Sequence, residues 1–264
     1  MNTLTTIGRS VLSVLALLGL TWQLNCGGGV VNTRLPNDFA LTGVVVSDAN
    51  TNQTVDLAHL AQNGAYLTDG KIFYGGDTLA YRDTLYGADS LYAVTFSTAA
   101  RYAPGGYLLK VTHGTQLDRS FSSTMIGPTT ITNVVPANHL VQGNGQVSME
   151  WLGVSNVEAW VMAAVKADSA YTGRGYSEFS TTANNGTIPP DAFLSADGFT
   201  PDTGLYNLYV YGVTGAPDTS LANRVLPVPL PDQLPDNISE REIAGHFGVV
   251  VVALYDTIRV VQQF

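Results

Sequence analysis

The chain has 264 residues, 45% of them hydrophobic and 12% charged, with a formal net charge of -9. That balance excludes a disordered polypeptide and argues against electrostatic binding to nucleic acid or anionic lipid, which needs basic patches. A single cysteine rules out an intrachain disulfide, so stability must come from core burial, for which this length suffices in one or two ordinary domains.

Residues 1–25 divide as an export signal does. A polar start carries Arg9 as its only charge, Val11 to Leu20 is apolar apart from Ser13 and Gly19, and Thr21 to Asn25 is a more polar tail. Even stretched to Leu24 the apolar part is about 14 residues, short of the roughly 20 that span hydrocarbon. Cys26 follows directly, ahead of Gly27-Gly28-Gly29. This arrangement resembles a bacterial lipoprotein signal, whose cysteine is acylated and becomes the new N-terminus. That family places Leu three residues before the cysteine and small residues at the next two positions. Gln23, Leu24 and Asn25 stand there instead. The resemblance implies a lipid anchor on Cys26 and residues 26–37 as a flexible tether. With Gly rather than Asp at 27, it also implies the outer membrane of a cell envelope, on its periplasmic or surface face. Without acylation the same signal describes a secreted protein.

From residue 38 onward strand signals dominate. Val44-Val45-Val46, Ala65 to Thr68, Leu91 to Ser97 and Tyr107 to Thr112 are short and rich in β-branched and aromatic residues. Gly75-Gly76-Asp77, Pro104-Gly105-Gly106 and Gly143-Asn144-Gly145 have turn chemistry. Only Ala58 to Ala61 and Pro190 to Phe193 suggest single helical turns, so the expected class is all-β. Asp48 to Asn52 begins like a calcium loop. Gln53 then stands where that loop needs Gly, and His59 where it needs a bidentate Glu, so a polar turn is expected.

A repeat organises the rest. Gly106-Tyr107-Leu108-Leu109-Lys110-Val111 and Gly204-Leu205-Tyr206-Asn207-Leu208-Tyr209-Val210 share Tyr-x-Leu-x-Val after a glycine. Their tyrosines are about 100 residues apart, the length of an immunoglobulin-like domain. Alternation puts Tyr107, Leu109 and Val111 on one face, and likewise Tyr206, Leu208 and Val210. A tyrosine opening a late strand resembles the tyrosine corner of such sandwiches. Gln146 to Trp151 alternates Val147, Met149 and Trp151 inward, and Val157 to Val165 supplies the next strand. Residues 128–264 thus resemble a fibronectin type III domain, and 38–127 a related immunoglobulin-like sandwich. The resemblance implies two tandem antiparallel β-sandwiches, with Gly127-Pro128 and Val135-Pro136 bracketing their junction.

Residues 214–242 break the expected pattern. Pro227, Pro229, Pro231 and Pro235 favour an extended path that cannot join the middle of a sheet. The segment is expected to lie as a strap over a sheet edge with Leu226, Val228 and Leu230 docked, or else to bind a partner. Phe247 to Leu254 is apolar on both faces, which describes a strand covered on each side, and the strap is a candidate cover.

Reactive chemistry is not signalled. His59, His113, His139 and His246 lack metal-ligand spacing, and Gly153-Val154-Ser155 lacks the closing glycine of a nucleophile elbow. Asp191, Asp197 and Asp202 read as loop acids. No catalytic residue, metal or cofactor is expected. Tyr209 and Tyr211 alternate away from the proposed core face, and Tyr66, Tyr74, Tyr81 and Tyr86 lie close together in the first sandwich. Outward tyrosines suit flat contacts, which makes Tyr209 and Tyr211 the candidate binding residues. The expected role is a non-enzymatic binding or structural module that contacts an envelope protein, with carbohydrate binding as the alternative and no nucleic-acid partner.

Overall fold

The structure is a computed structural model in which residues 39–85, 89–143, 145–167, 179–180, 184–232 and 234–262 are described. Short alternating apolar runs and glycine turns give a first series of strands: β1 (Phe39–Asp48), β2 (Gln53–Gln62), β3 (Ala65–Tyr66), β4 (Lys71–Tyr74), β5 (Asp77–Leu85), β6 (Asp89–Phe96), β7 (Gly105–His113) and β8 (Leu117–Met125). A second series comprises β9 (Ile131–Val135), β10 (Leu140–Gln142), β11 (Val147–Trp151), β12 (Ala159–Lys166), β13 (Phe179–Ser180), β14 (Asn185–Ile188), β15 (Gly204–Gly215), β16 (Ile238–Ser239), β17 (Ile243–Val252) and β18 (Asp256–Val261). Helical structure among the described residues is a 3-10 turn at Pro190–Phe193, as expected, and the four-residue helix α1 (Thr219–Ala222). Ala58 to Ala61, expected as a helical turn, belongs to β2. That strand is buried on both faces, so its apolar run carries no period-2 alternation to announce it.

The fold is all-β, and its strands pair in the order β10-β18-β15-β17-β1-β2-β6-β5-β4-β7-β8, with β12 on the other side of β15. Strands from both sides of the expected junction share this sheet. β1 pairs antiparallel with β2, and parallel with β17 along its whole length, from Phe39↔Ile243 to Asp48↔Val252. Leu41↔Gly245 is the tightest point of that register. A Cβ on Gly245 (φ 140°) would lie 1.9 Å from the Leu41 carbonyl oxygen, so only glycine lets the two strands meet there.

Three apolar clusters sit around the central strands. On one face β4 and β7 fold back over β1, β2 and β17, enclosing Leu41, Val45, Ile72, Tyr74, Val111 and Phe247. On the same face the small sheet β14-β11-β9 covers β12 and β15, burying Trp151 against Trp160 with ring centroids 5.5 Å apart. Val147, Met149 and Trp151 all point inward, as their alternation requires. The opposite face carries Val44, Val46, Leu57, Tyr211 and Val250 and is covered by α1 and the proline-rich segment.

That segment is a strap. Leu226, Val228 and Leu230 are buried, contributing about 1.5–3 kcal/mol each relative to exposure. The sequence reading placed the strap over a sheet edge; it covers a face instead. Tyr211 fixes it: its hydroxyl accepts from the Val228 N–H (2.9 Å) and donates to the Val228 carbonyl (3.2 Å). β1, β2 and β17 are therefore buried on both sides, as expected for Phe247 to Val252, but Leu254, expected in the same run, lies beyond β17 and is exposed.

The tyrosine repeat has a common geometry. Tyr107 donates to the Ala103 carbonyl (3.0 Å) and Tyr206 to the Asp202 carbonyl (2.9 Å), each four residues upstream. Both strands turn Leu and Val inward behind the tyrosine: Leu109 and Val111, then Leu208 and Val210. Two corners of one kind thus open β7 and β15, as in immunoglobulin-like sandwiches.

Candidate functional site

Of the site residues expected from sequence, Cys26 lies outside the described residues. Tyr209 and Tyr211 require correction. They point away from Tyr206, Leu208 and Val210 as the alternation demands, but that second face is covered by the strap. Tyr211 is 0% and Tyr209 7% exposed, and burial pushes both phenols up from their ordinary pKa. They are packing and strap-holding residues, not an outward platform. Of the other tyrosines, Tyr74 is buried, Tyr81 is half-buried, Tyr66 is exposed and Tyr86 lies outside the described residues.

The singled-out polar residues take separate structural roles. Asp48 closes the β1–β2 turn by accepting from the Asn50 N–H (2.8 Å) and the Thr51 hydroxyl (3.1 Å). Asp197 accepts from the Phe199 and Thr200 N–H groups, and Asp202 pairs with Lys166 at 2.6 Å. His59 packs on Tyr66, His113 faces Asp69, and His139 meets the Thr257 carbonyl. Among the described residues no group of three or more His, Cys, Asp or Glu is placed to hold a metal ion.

Sequence reasoning missed a buried acid. Asp56 of β2 is 0% exposed and faces the core between β1/β2 and β4/β7. Its Oδ2 lies 2.6 Å from the Tyr102 hydroxyl, which is 3.3 Å from Asp77 Oδ2, and Asp77 in turn holds Arg101 at 2.6 Å. Arg101 also lies 4.5 Å above the Phe96 ring. Burial pushes Asp56 up to about 7, against the lowering bond from Tyr102. The Tyr102 hydroxyl donates to Asp56 Oδ2, while Asp56 Oδ1 is buried with no hydrogen-bond partner among the described residues, which favours the neutral carboxyl. A lone Asp in an apolar run was the available signal: Val55-Asp56-Leu57 puts a carboxyl on a strand that has no solvent face.

The arrangement best suited to contact is the outer edge of β8. Among the described residues β8 pairs only with β7, so its other side presents unpaired backbone groups. That side borders a crevice of about 140 Å³, with Phe121 to Thr124 on one wall and Gly215, Asn237, Ile238 and Phe247 on the other. Opposite β8, side chains stand in for a missing strand. The Asn237 amide both donates to the Phe247 carbonyl (2.7 Å) and accepts from its N–H (2.9 Å), and Glu158 accepts from the Gly215 N–H (3.0 Å). An Arg119–Glu242 ion pair links β8 to the residue just before β17.

No family model matches the sequence, and no curated protein matches it. Solved structures similar to this chain include "DIP-gamma IG1+IG2", at 10% identity and TM-score 0.23, covering 82% of this chain and 99% of that chain. The chicken CNTN1 FN1-FN3 domains are similar at 11% identity and TM-score 0.26, over 82% of this chain and 62% of that one, less than two thirds of its length. The fibronectin(III)-like modules of Clostridium thermocellum CbhA show 10% identity and TM-score 0.25, over 84% of this chain and 94% of theirs.

Proposed function

We propose that this chain is an exported, non-enzymatic binding module of a cell envelope, lipid-anchored at Cys26, that contacts a protein partner through the outer edge of β8. The observation that carries the reading is that edge: a strand with unpaired backbone groups, beside a crevice whose far wall is already satisfied by side chains. Such an edge recognises an extended polypeptide, because a second strand supplies complementary donors and acceptors at the same rise. Export and anchoring rest on the N-terminal signal and its cysteine. Carbohydrate binding loses its motive, since Tyr209 and Tyr211 lie beneath the strap.

Two proline variants test the contact. Successive amides of a strand point to opposite sides, so one of Ser122→Pro and Ser123→Pro removes an outward donor and the other a β7–β8 ladder bond. The expected result in a capture from native envelope is that the outward variant keeps its melting temperature and loses the partner. Retention of the partner by a folded outward variant rules out this edge.

A further inference from the structure

We propose that the proline-rich strap is a proton-latched cover, with His246 as the latch. The strap leaves the sheet after β15 and returns to it at β16, and a single imidazole of β17 meets both of its ends. His246 Nδ1 lies 3.1 Å from Asp236 Oδ1 at the returning end. Its Nε2 lies 3.5 Å from Asp218 Oδ2 at the leaving end, beyond a tight hydrogen bond and within ion-pair range. A neutral imidazole has one N–H and one lone pair, so it can serve only one carboxylate and turns a lone pair toward the other. The imidazolium donates to Asp236 and attracts Asp218 as a charge. Closure at both ends therefore requires the proton.

The surroundings reinforce this. Asp218 caps α1, accepting from the Ser220 and Leu221 N–H groups, so that the leaving end is rigid where it meets His246. Asn237, next to Asp236, pairs with Phe247, next to His246, so the returning end is equally fixed in register. From β1 the residue beside His246 is Thr42, and beyond it on β2 comes His59. The charged groups acting on the imidazole are thus Asp218 and Asp236, one from each strap end. The Asp218 carboxylate raises the imidazole above its ordinary value, against desolvation, and Asp236 adds to the rise. Burial pushes Asp218 up, but the facing His246 and bonds from Ser220, Thr42 and the Leu221 N–H outweigh it and hold that carboxyl well below the usual range. The latch is closed below the imidazole's raised pKa and weakens as pH rises through it. Weakening exposes the apolar face under the strap, the one bearing Tyr209, Tyr211 and Val213.

Hydrogen exchange on the whole protein reads this directly. The Val228 amide is held by Tyr211, and the Leu230 amide by Asn223 at 2.7 Å, so both report strap opening. With intrinsic rates removed, their protection is expected to fall about tenfold between pH 5.5 and 8.5, the scale of one charge-assisted bond. In His246→Gln protection at both amides is expected to be low and to change with pH no more than at Val111. In Asp236→Asn, which alters only the more exposed partner, the fall is expected to shrink. The Val111 amide, in the opposite layer, is the internal reference. Any fall at Val111 measures the pH dependence of global stability, to which Asp56 contributes. The proposal is overturned if Val228 and Leu230 in the unmodified protein fall no further than Val111, or if their excess fall is undiminished in His246→Gln.

Discussion

A carboxyl group on a strand with two buried faces is stable there in its neutral form, and Asp56 is held in that form by desolvation. Its folded pKa of about 7 stands above the ordinary 3.8, so the stabilisation is fully present below about pH 3.8 and is lost as pH rises through about 7. The gap is worth on the order of 4 kcal/mol. Asp56→Asn keeps the shape and an acceptor for Tyr102 without the charge. The fall in melting temperature between pH 5 and 8 is expected to be much shallower in the variant, and an unchanged slope would assign the pH dependence to another group. Legibility at this scale was uneven. Trp151 and Tyr206 announced their burial through alternation with apolar neighbours, whereas Tyr107, in the same pattern, is only half-buried. Tyr209 and Tyr211 alternate just as regularly, yet alternation says only that a side chain faces the other way, not that water is there.

Among the elements the strap matters most, because it converts a two-layer arrangement into three layers over β1, β2, β12, β15 and β17. Pro227, Pro229, Pro231 and Pro235 predicted an extended path outside the ladders, and the alternating Leu226, Val228 and Leu230 predicted a docked one. Whether an edge or a face received it depended on strands far away in sequence. Val228→Asp would place an unpaired charge against Tyr211 and the cluster beneath the strap. A loss of at least about 3 kcal/mol is expected from urea unfolding, through burial of an uncompensated carboxylate. A change within about 0.5 kcal/mol would mean that the strap is not part of the cooperative core. Missing β2 from the sequence has a related cause. Ala58-His59-Leu60-Ala61 is buried all round, and a segment with two covered faces loses the period that distinguishes strand from helix.

For the whole molecule the decisive contact is the parallel pairing of β1 with β17, ten residues long and drawn from opposite ends of the described chain. Residues 38–127 alone would lose β17 and leave Val44, Val46, Leu57 and Leu91 without the strands and strap that cover them. That fragment is expected to lack dispersed methyl resonances and a cooperative melt, whereas the whole chain melts in one transition. A folded fragment would show that β1–β17 pairing is dispensable. By itself the sequence determined the all-β class, the repeated tyrosine corners, the inward faces of β7 and β11, and the extended strap, because each depends on local alternation, turn chemistry or proline geometry. Only the tertiary structure decided that β1 lies beside β17, that the strap seals a face, and that Asp56 and both strap ends meet their partners. Those outcomes depend on which distant strands pair and which surfaces are thereby covered, and residue order along one strand carries no record of either.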